Sequence, residues 1–512
     1  MNPRVLLITA ICAAALTLHA YFFDHMADDA YITLRYLDHW LRGEGLVFNP
    51  GEWVMGYSNP LWLLTLAPLG LAGLDLPSAA RGLGLLFSIV CVAVVCLEST
   101  RRQQHWAATL AAGGWLAASG PFALWSQAGL EGPLFSLCLL CAAVGAGRLA
   151  EAPSRSALTG VCLAIAGATW TRPEGAAYGL AVAAWLAWRS GLRAAAPAAA
   201  TAIAAWLLFI AAALGLYGDP LPNTYYAKSH PLSLALLDRG WQFTWAYLKG
   251  QSGATPLALF LFAVTAGRRA TAPGWLGIVL IFAFVVFYHS VGGDALVYHR
   301  MWAYVQPLIA LALGDAAGSL ARSTDPRARR ATALVCALPL LALPNSVRGF
   351  ELAYLRADDE RIRSLATLGA ELARRAPADT LIATNVIGAL GYTSRLPLID
   401  MLGLTDRHIA RNSERRLGVP GHESHDGSYV LDREPDIILV GIPRASPTPL
   451  SVNDAFRPAF PSDQDLVADP RLREHYAFGH LPLEDGRTVA LFQRRGFTGL
   501  GLGQPPPAQG LR

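Results

Sequence analysis

Apolar residues fall in long blocks along this chain, and short polar segments separate the blocks. They lie at 5–23, 80–98, 105–120, 131–149, 156–170, 174–189, 194–216, 253–267, 274–291, 301–320 and 331–347. A helix of about 20 apolar residues crosses a bilayer, so the pattern predicts about 11 membrane spans. A further apolar stretch, 60–74, follows Asn59 and starts on Pro60. It is expected to lie at the interface without crossing. Segment 230–251 carries Trp241, Phe243, Trp245 and Tyr247 with few charges, which predicts an amphipathic helix on the membrane surface.

From residue 350 the pattern changes. Helical spacing of Ile362, Leu365, Leu368 and Leu372 precedes strand-like runs at 381–384, 396–400, 437–440 and 489–492. The expected fold is a polytopic α-helical membrane protein with a C-terminal α/β domain. The expected parts are a transmembrane domain over 1–349, a soluble domain over 350–498 and a disordered tail over 499–512.

Composition agrees with this division. The 512 residues are 53% hydrophobic and 15% charged, where soluble domains carry about 25% charged residues. A net charge of +4 gives no reason to expect a nucleic-acid partner. The seven cysteines all lie in apolar blocks. Cys138 and Cys141 have C-x-x-C spacing, but no His or further Cys stands near them, so they read as small packing residues. Arg4 precedes the first block, and no small-x-small cleavage site follows it. A retained first helix is therefore expected.

Arginines in short loops set the orientation. With the N-terminus in the cytoplasm, Arg101, Arg102, Arg148, Arg155, Arg189, Arg193, Arg268, Arg269, Arg322, Arg327, Arg329 and Arg330 all fall on the cytoplasmic side. The opposite side receives Asp28 and Asp29, Glu131, Arg172 and Glu174, the loop 217–228, Asp294 and the polar C-terminal part. Chemistry-bearing loops thus collect on the face away from the arginine clusters.

That face holds the candidate site. Asp28 and Asp29 stand where the first apolar block ends, and adjacent carboxylates there can serve as general base, metal ligand or both. The plain alternative is a solvated helix end. Glu131 begins a span, where a helix dipole also favours an acid. Arg172 suits a phosphate, or a local pair with Glu174. Loop 217–228 is the densest in polar groups. Asn223, Tyr225 and Tyr226 suit hydroxyl recognition and stacking on a sugar ring, and Lys228 can meet a phosphate. Asp294 can orient a hydroxyl or join a metal site, and His299 and Arg300 can neutralise phosphate. No P-loop, dinucleotide turn or nucleophile elbow competes in these loops. Together they suggest an outer cavity with acids, cations and aromatic walls, suited to a polyprenyl-phosphate leaving group and an activated hydroxyl.

The ordered strings DDAYI at 28–32, GYSNPLW at 56–62, GLE at 129–131, TRPEG at 171–175, PLPNTYYAK at 220–228 and GGD at 292–294 carry a resemblance. So do DMLGLTD at 400–406, IAR at 409–411, GHE at 421–423 and REPD at 433–436. Over residues 24–440 the chain resembles the terminal β-(1→2)-arabinofuranosyltransferases of actinobacterial cell walls and their bacterial relatives, membrane glycosyltransferases of the GT-C fold. The resemblance implies a multi-pass protein of the bacterial inner membrane with its C-terminal domain extracytoplasmic. It implies a decaprenyl-phospho-arabinose-like donor and a glycan or glycoprotein acceptor in the cell envelope. Asp28 and Asp29 would be the catalytic acids, with room for a divalent cation such as Mg, Mn or Ca. Arg172, Lys228 and Arg300 would hold the phosphate. Asn223, Tyr225 and Tyr226 would shape the sugar site, with Tyr57, Asn59, Glu131, Glu174, Asp294 and His299 around it. Asp406, His422 and Glu423 would guide the acceptor. Two alternatives stay open: transfer of another sugar such as mannose, and non-enzymatic transport of a lipid-linked sugar.

Overall fold

The computed structural model describes residues 2–251, 253–266, 272–347, 350–415, 417–455 and 460–501. Arg268, Arg269 and the expected tail beyond residue 501 lie outside the described residues. Five described helices are long and apolar enough to cross a membrane: Pro3–Phe23, Leu76–Gln103, Gly132–Glu151, Leu192–Tyr217 and Ala272–Ser290. Other expected spans form helices of 13–17 residues, namely Trp106–Ala118, Arg155–Thr171 and Gly175–Ser190. Two expected spans are interrupted. One breaks at Tyr304 and Val305, between Arg300–Ala303 and Gln306–Ala321. The other breaks at Leu338, just before Pro339–Ser346, because proline lacks the N–H that would continue the ladder.

Helix Pro60–Leu71 has 12 residues. At 1.5 Å per residue it is roughly 18 Å long, too short for a hydrocarbon core of about 30 Å. It does not cross, but its Trp62, Leu63, Leu66 and Ala67 are buried in the bundle. Helix Leu234–Gly250 buries Leu236, Gly240, Thr244 and Tyr247 and exposes Trp241 and Trp245, the division an interfacial helix requires.

Small residues bring the spans together. A β-carbon on Gly113 would sit 2.6 Å from Cys96 Sγ and 2.8 Å from Cys12 Sγ, so these cysteines fill a tight three-helix contact. All seven cysteines are free.

The C-terminal part opens with helix Phe350–Arg375, which starts before the expected 359. Ile362, Leu365, Leu368 and Leu372 are buried. Strand Ile382–Thr384 lies between Leu398–Asp400 and Ile437–Leu439, parallel to both. Thr488–Arg494 runs antiparallel to Ile437–Leu439 and also pairs with Ala445–Ser446 and Tyr476–Pro482. All four expected strand runs are in this sheet. Strand Tyr476–Pro482 escaped the pattern because Gly479, His480 and Pro482 interrupt its apolar alternation.

Candidate active site

Four residues, 24–27, link the first span to helix Asp28–Leu41. Both acids sit in its first turn, where the exposed N–H groups favour negative charge. Their carboxylates go different ways. Asp28 Oδ1 accepts from the Ala389 amide at 2.8 Å and Oδ2 from the Gly388 amide at 3.2 Å. Burial pushes the Asp28 pKa above its ordinary value. The Ala389 amide and Arg361 oppose this and the neighbouring Asp29 charge adds to it.

Asp29 faces cations. Its Oδ2 lies 3.5 Å from Arg300 Nη1. Arg300 is itself gripped by Asp294 through bonds of 2.9 and 3.1 Å and lies beside the Trp125 ring. Burial works to raise the Asp29 pKa. Lys228, Arg300, His422 and Arg361 outweigh it and hold the carboxyl below its ordinary value. Asp29 therefore stays ionised among cations. Arg300 reaches this position through Tyr298 and His299, both at φ +50°. Two consecutive non-glycine residues in the left-handed region are costly, and such strain concentrates at functional sites.

A second chain of groups leads inward from the same helix. Thr33 Oγ1 donates to Asn59 Oδ1 at 3.2 Å, and Asn59 Nδ2 donates to Glu131 Oε2 at 2.8 Å. Arg172 donates to Glu131 and Glu174, each at 2.5 Å, and its Nη1 also to the Tyr304 hydroxyl at 3.2 Å. Tyr288 donates to Glu174 at 3.0 Å. The Arg172 charge is thus shared between the two carboxylates of Glu131 and Glu174.

The loop 217–228 divides in the same way. Asn223 is buried, and its Nδ2 donates to the carbonyls of Gly403 at 2.8 Å and Asp406 at 3.0 Å. Nδ2 ties the loop to the C-terminal domain, while the buried Oδ1 has no hydrogen-bond partner among the described residues. Tyr225 is exposed. The Tyr226 ring lies 4.2 Å from the Arg411 guanidinium. The exposed Lys228 has no hydrogen-bond or ion-pair partner among the described residues. Tyr57 is buried, its hydroxyl paired with that of Tyr217 at 3.0 Å. His299 Nε2 lies 3.2 Å from Glu351.

A cavity of about 370 Å³ opens between the membrane and C-terminal parts. Asp294, His299, Arg239, Phe243 and Glu351 line it, and Pro420 closes it from the C-terminal domain. The loop bearing Pro420 also carries His422. That ring stacks on Phe460 at 4.8 Å, and its Nδ1 lies 3.1 Å from the Pro420 carbonyl. Burial lowers the His422 pKa, and nearby Lys228 adds to the effect.

Glu423 fixes this loop. Its carboxylate bonds His230 at 2.6 Å, Arg239 at 2.5 Å and the Gly418 amide at 2.9 Å. Asp406 caps helix Arg407–Asn412 through the Ile409 amide at 3.0 Å and accepts from the Tyr429 hydroxyl. Both acids hold the domain's structure. Arg361 and Arg239 escaped sequence reading because each looks like part of a solvated helix face.

The acid pair does not fit a resident divalent cation. Such ions take several oxygen ligands. Asp28 is occupied by backbone amides, Asp29 is flanked by cations, and no three His, Cys, Asp or Glu side chains gather as a ligand set among the described residues.

These features define a multi-pass membrane protein of the GT-C glycosyltransferase fold, with a small mixed-sheet domain set over the site. Its structure is similar to that of ArnT from Cupriavidus metallidurans bound to undecaprenyl phosphate. The TM-score is 0.61 at 14% identity, over 96% of this chain and 98% of that one. The apo state of the same protein gives 0.55 at 15% identity, over 95% and 97%. Arabinosyltransferase EmbB from Mycobacterium smegmatis gives a TM-score of only 0.37 at 15% identity, over 76% of this chain and 42% of that one, too slight a likeness to argue from. Residues 353–492 match a family described as a domain of unknown function, DUF8728. No curated protein matches the chain by sequence.

Proposed function

We propose that this protein is a membrane glycosyltransferase that moves a sugar from a polyprenyl-phosphate donor to a hydroxyl of an envelope glycan or glycoprotein. The carrying observation is an ionised acid, Asp29, beside Arg300 and Lys228, which has no hydrogen-bond or ion-pair partner among the described residues, at the end of the bundle away from the basic loops. ArnT, whose fold this chain shares, was crystallised with undecaprenyl phosphate, which supports a donor of that lipid class. The sugar is arabinofuranose in this reading, on the strength of the motif resemblance.

In the reaction the acceptor oxygen attacks the anomeric carbon, and the bond from that carbon to the phosphate oxygen breaks. The electron pair leaves with the polyprenyl phosphate, where Lys228 and Arg300 meet the growing charge. The acceptor proton passes to the Asp29 carboxylate. A carboxylate held at low pKa accepts that proton late, as the new bond forms. Arg172 keeps Glu131 and Glu174 in place behind the site.

The test is transfer from a panel of polyprenyl-phospho-sugars by the purified protein in lipid nanodiscs. Arabinofuranose transfer, lost about a hundredfold or more in Asp29→Asn, supports the reading. Transfer of mannose with the same loss keeps the mechanism and changes the sugar. Movement of lipid-linked sugar across the bilayer without any transfer would assign a transporter instead.

A further inference from the structure

The two acids of the pair have different partners, and Asp28 belongs to a larger contact. Asp28, Tyr31, Arg35 and Asp38 recur at spacings of three and four, so they share one face of helix Asp28–Leu41. That face runs along helix Ala389–Ser394 of the C-terminal domain. Asp28 holds the amides of Gly388 and Ala389 at its N-terminal end. The Tyr31 ring lies 5.6 Å from Tyr392. Arg35 donates to the carbonyls of Gly391 and Leu396, each at 2.7 Å, at its C-terminal end. Asp38 pairs with Arg395 at 3.0 Å.

The charges match the dipole of the enclosed helix, with an acid at its N–H end and a guanidinium at its carbonyl end. A helix of six residues is far too short to persist alone. Its termini are completed by side chains of the membrane domain. Arg35 is fully buried, so this is an internal seam. A second tie, His25 to Asp359 at 2.5 Å, is also buried. The seam sets the position of everything the C-terminal domain carries. A β-carbon on Gly421, next to His422, would sit 3.0 Å from Lys228 Cε.

We propose that Asp28 is a positioning residue. With Arg35 it seats the C-terminal domain over Asp29, so that the His422 loop presents the acceptor hydroxyl. The part concerning the acceptor rests on the glycosyltransferase reading; the seating does not. The pair then divides its work, with Asp29 facing donor and acceptor and Asp28 facing the domain.

Gly388 provides a probe that leaves both acids intact. A β-carbon there would lie 2.0 Å from the Asp28 backbone oxygen and 2.6 Å from its Cγ. Because one of these is a backbone atom, Gly388→Ala must displace the contact. Three full-length variants, Asp28→Asn, Gly388→Ala and Asp29→Asn, are compared in nanodiscs. One readout is amide hydrogen exchange over 386–392. The others are donor hydrolysis by water without acceptor, and transfer with acceptor.

Asp28→Asn sets an NH2 against one of the two amides and removes the charge, and Gly388→Ala displaces the contact, so both are expected to speed exchange over 386–392 about tenfold. Both should cut transfer and raise the acceptor KM, while donor hydrolysis stays within about threefold of wild type. Asp29→Asn should leave exchange unchanged and abolish hydrolysis and transfer together. Wild-type exchange in Asp28→Asn, with hydrolysis lost, would put Asp28 in the chemistry and overturn the proposal. If Asp28→Asn does not fold, Gly388→Ala decides alone. If the wild type uses no polyprenyl-phospho-sugar, the functional reading fails, and the exchange data still decide the seating.

Discussion

At the scale of the residue, neighbouring carboxylates separate because their surroundings do. Asp29 is held below the ordinary carboxylate range by Lys228, Arg300, His422 and Arg361, which outweigh its burial. A depressed acid stays ionised as pH falls, until its own lowered pKa is reached. The acid limb of kcat/KM should therefore lie below about pH 4, the ordinary aspartate range, as a pH profile on a fixed donor would show. Removing this charge with Lys228→Met should raise the donor KM about tenfold, in line with one charge-assisted contact, and steady-state kinetics would show it. Asp400 goes the other way. Burial raises its pKa to about 6, against the opposing Thr405 and Leu402 amides. The folded state then holds a proton that the unfolded chain, with aspartate near about 3.9, has released. That contribution to stability is present at low pH and fades as pH rises through about 6. Thermal unfolding at pH 5 and pH 7.5 should show the difference, and Asp400→Asn should remove it. The acid pair itself was legible as a string. Its division was not, because the partners of Asp28 lie 360 residues away in sequence.

At the scale of the element, helix Asp28–Leu41 carries the site on one side and the domain seam on another. Its spacing was visible, but nothing in the string shows that Arg35 reaches four groups. Besides Gly391 and Leu396, its Nε donates to the Phe48 carbonyl at 2.7 Å and Nη2 lies 3.3 Å from Asn49 Oδ1. Arg35→Met keeps much of the side-chain volume and leaves the buried carbonyls of Phe48 and Leu396 without a donor, while that of Gly391 keeps the Arg395 amide at 3.0 Å. At roughly 1–3 kcal/mol for each unsatisfied buried group, the C-terminal domain should lose several kcal/mol. Its melting should separate from that of the membrane domain in calorimetry. A single transition at the wild-type temperature would count against the seam. The long spans and the four apolar strands were legible because each satisfies one period over its length. The breaks before Gln306 and Pro339 were hidden, since hydropathy averages across a single proline or a two-residue turn. Strand Tyr476–Pro482 was hidden for the opposite reason, its pattern being broken by small and polar residues while its partner Thr488–Arg494 supplies the pairing.

At the scale of the whole molecule, the two ends of the bundle differ in charge. Gly132–Glu151 begins beside Glu131 at the site and carries in its last turn Arg148, which bonds Glu98 near the end of Leu76–Gln103. Glu98 also takes Arg102 at 2.7 Å and Arg101 at 2.8 Å. Arg322, just past Gln306–Ala321, donates to the Gln103 carbonyl at 2.7 Å. The arginines thus converge at the end away from Asp29, although they come from separate loops. By the positive-inside preference that end should face the cytoplasm, with the N-terminus cytoplasmic and the sheet domain outside. A phosphatase that matures only outside the cytoplasm, fused after Gly501, should be active. The same reporter fused after Ser323 should be inactive. The reverse pattern would put the site beside the cytoplasm, where water-soluble nucleotide sugars are present, and would remove the need for a lipid-linked donor. The fusion pair therefore tests the donor class as well as the orientation, without any substrate in hand.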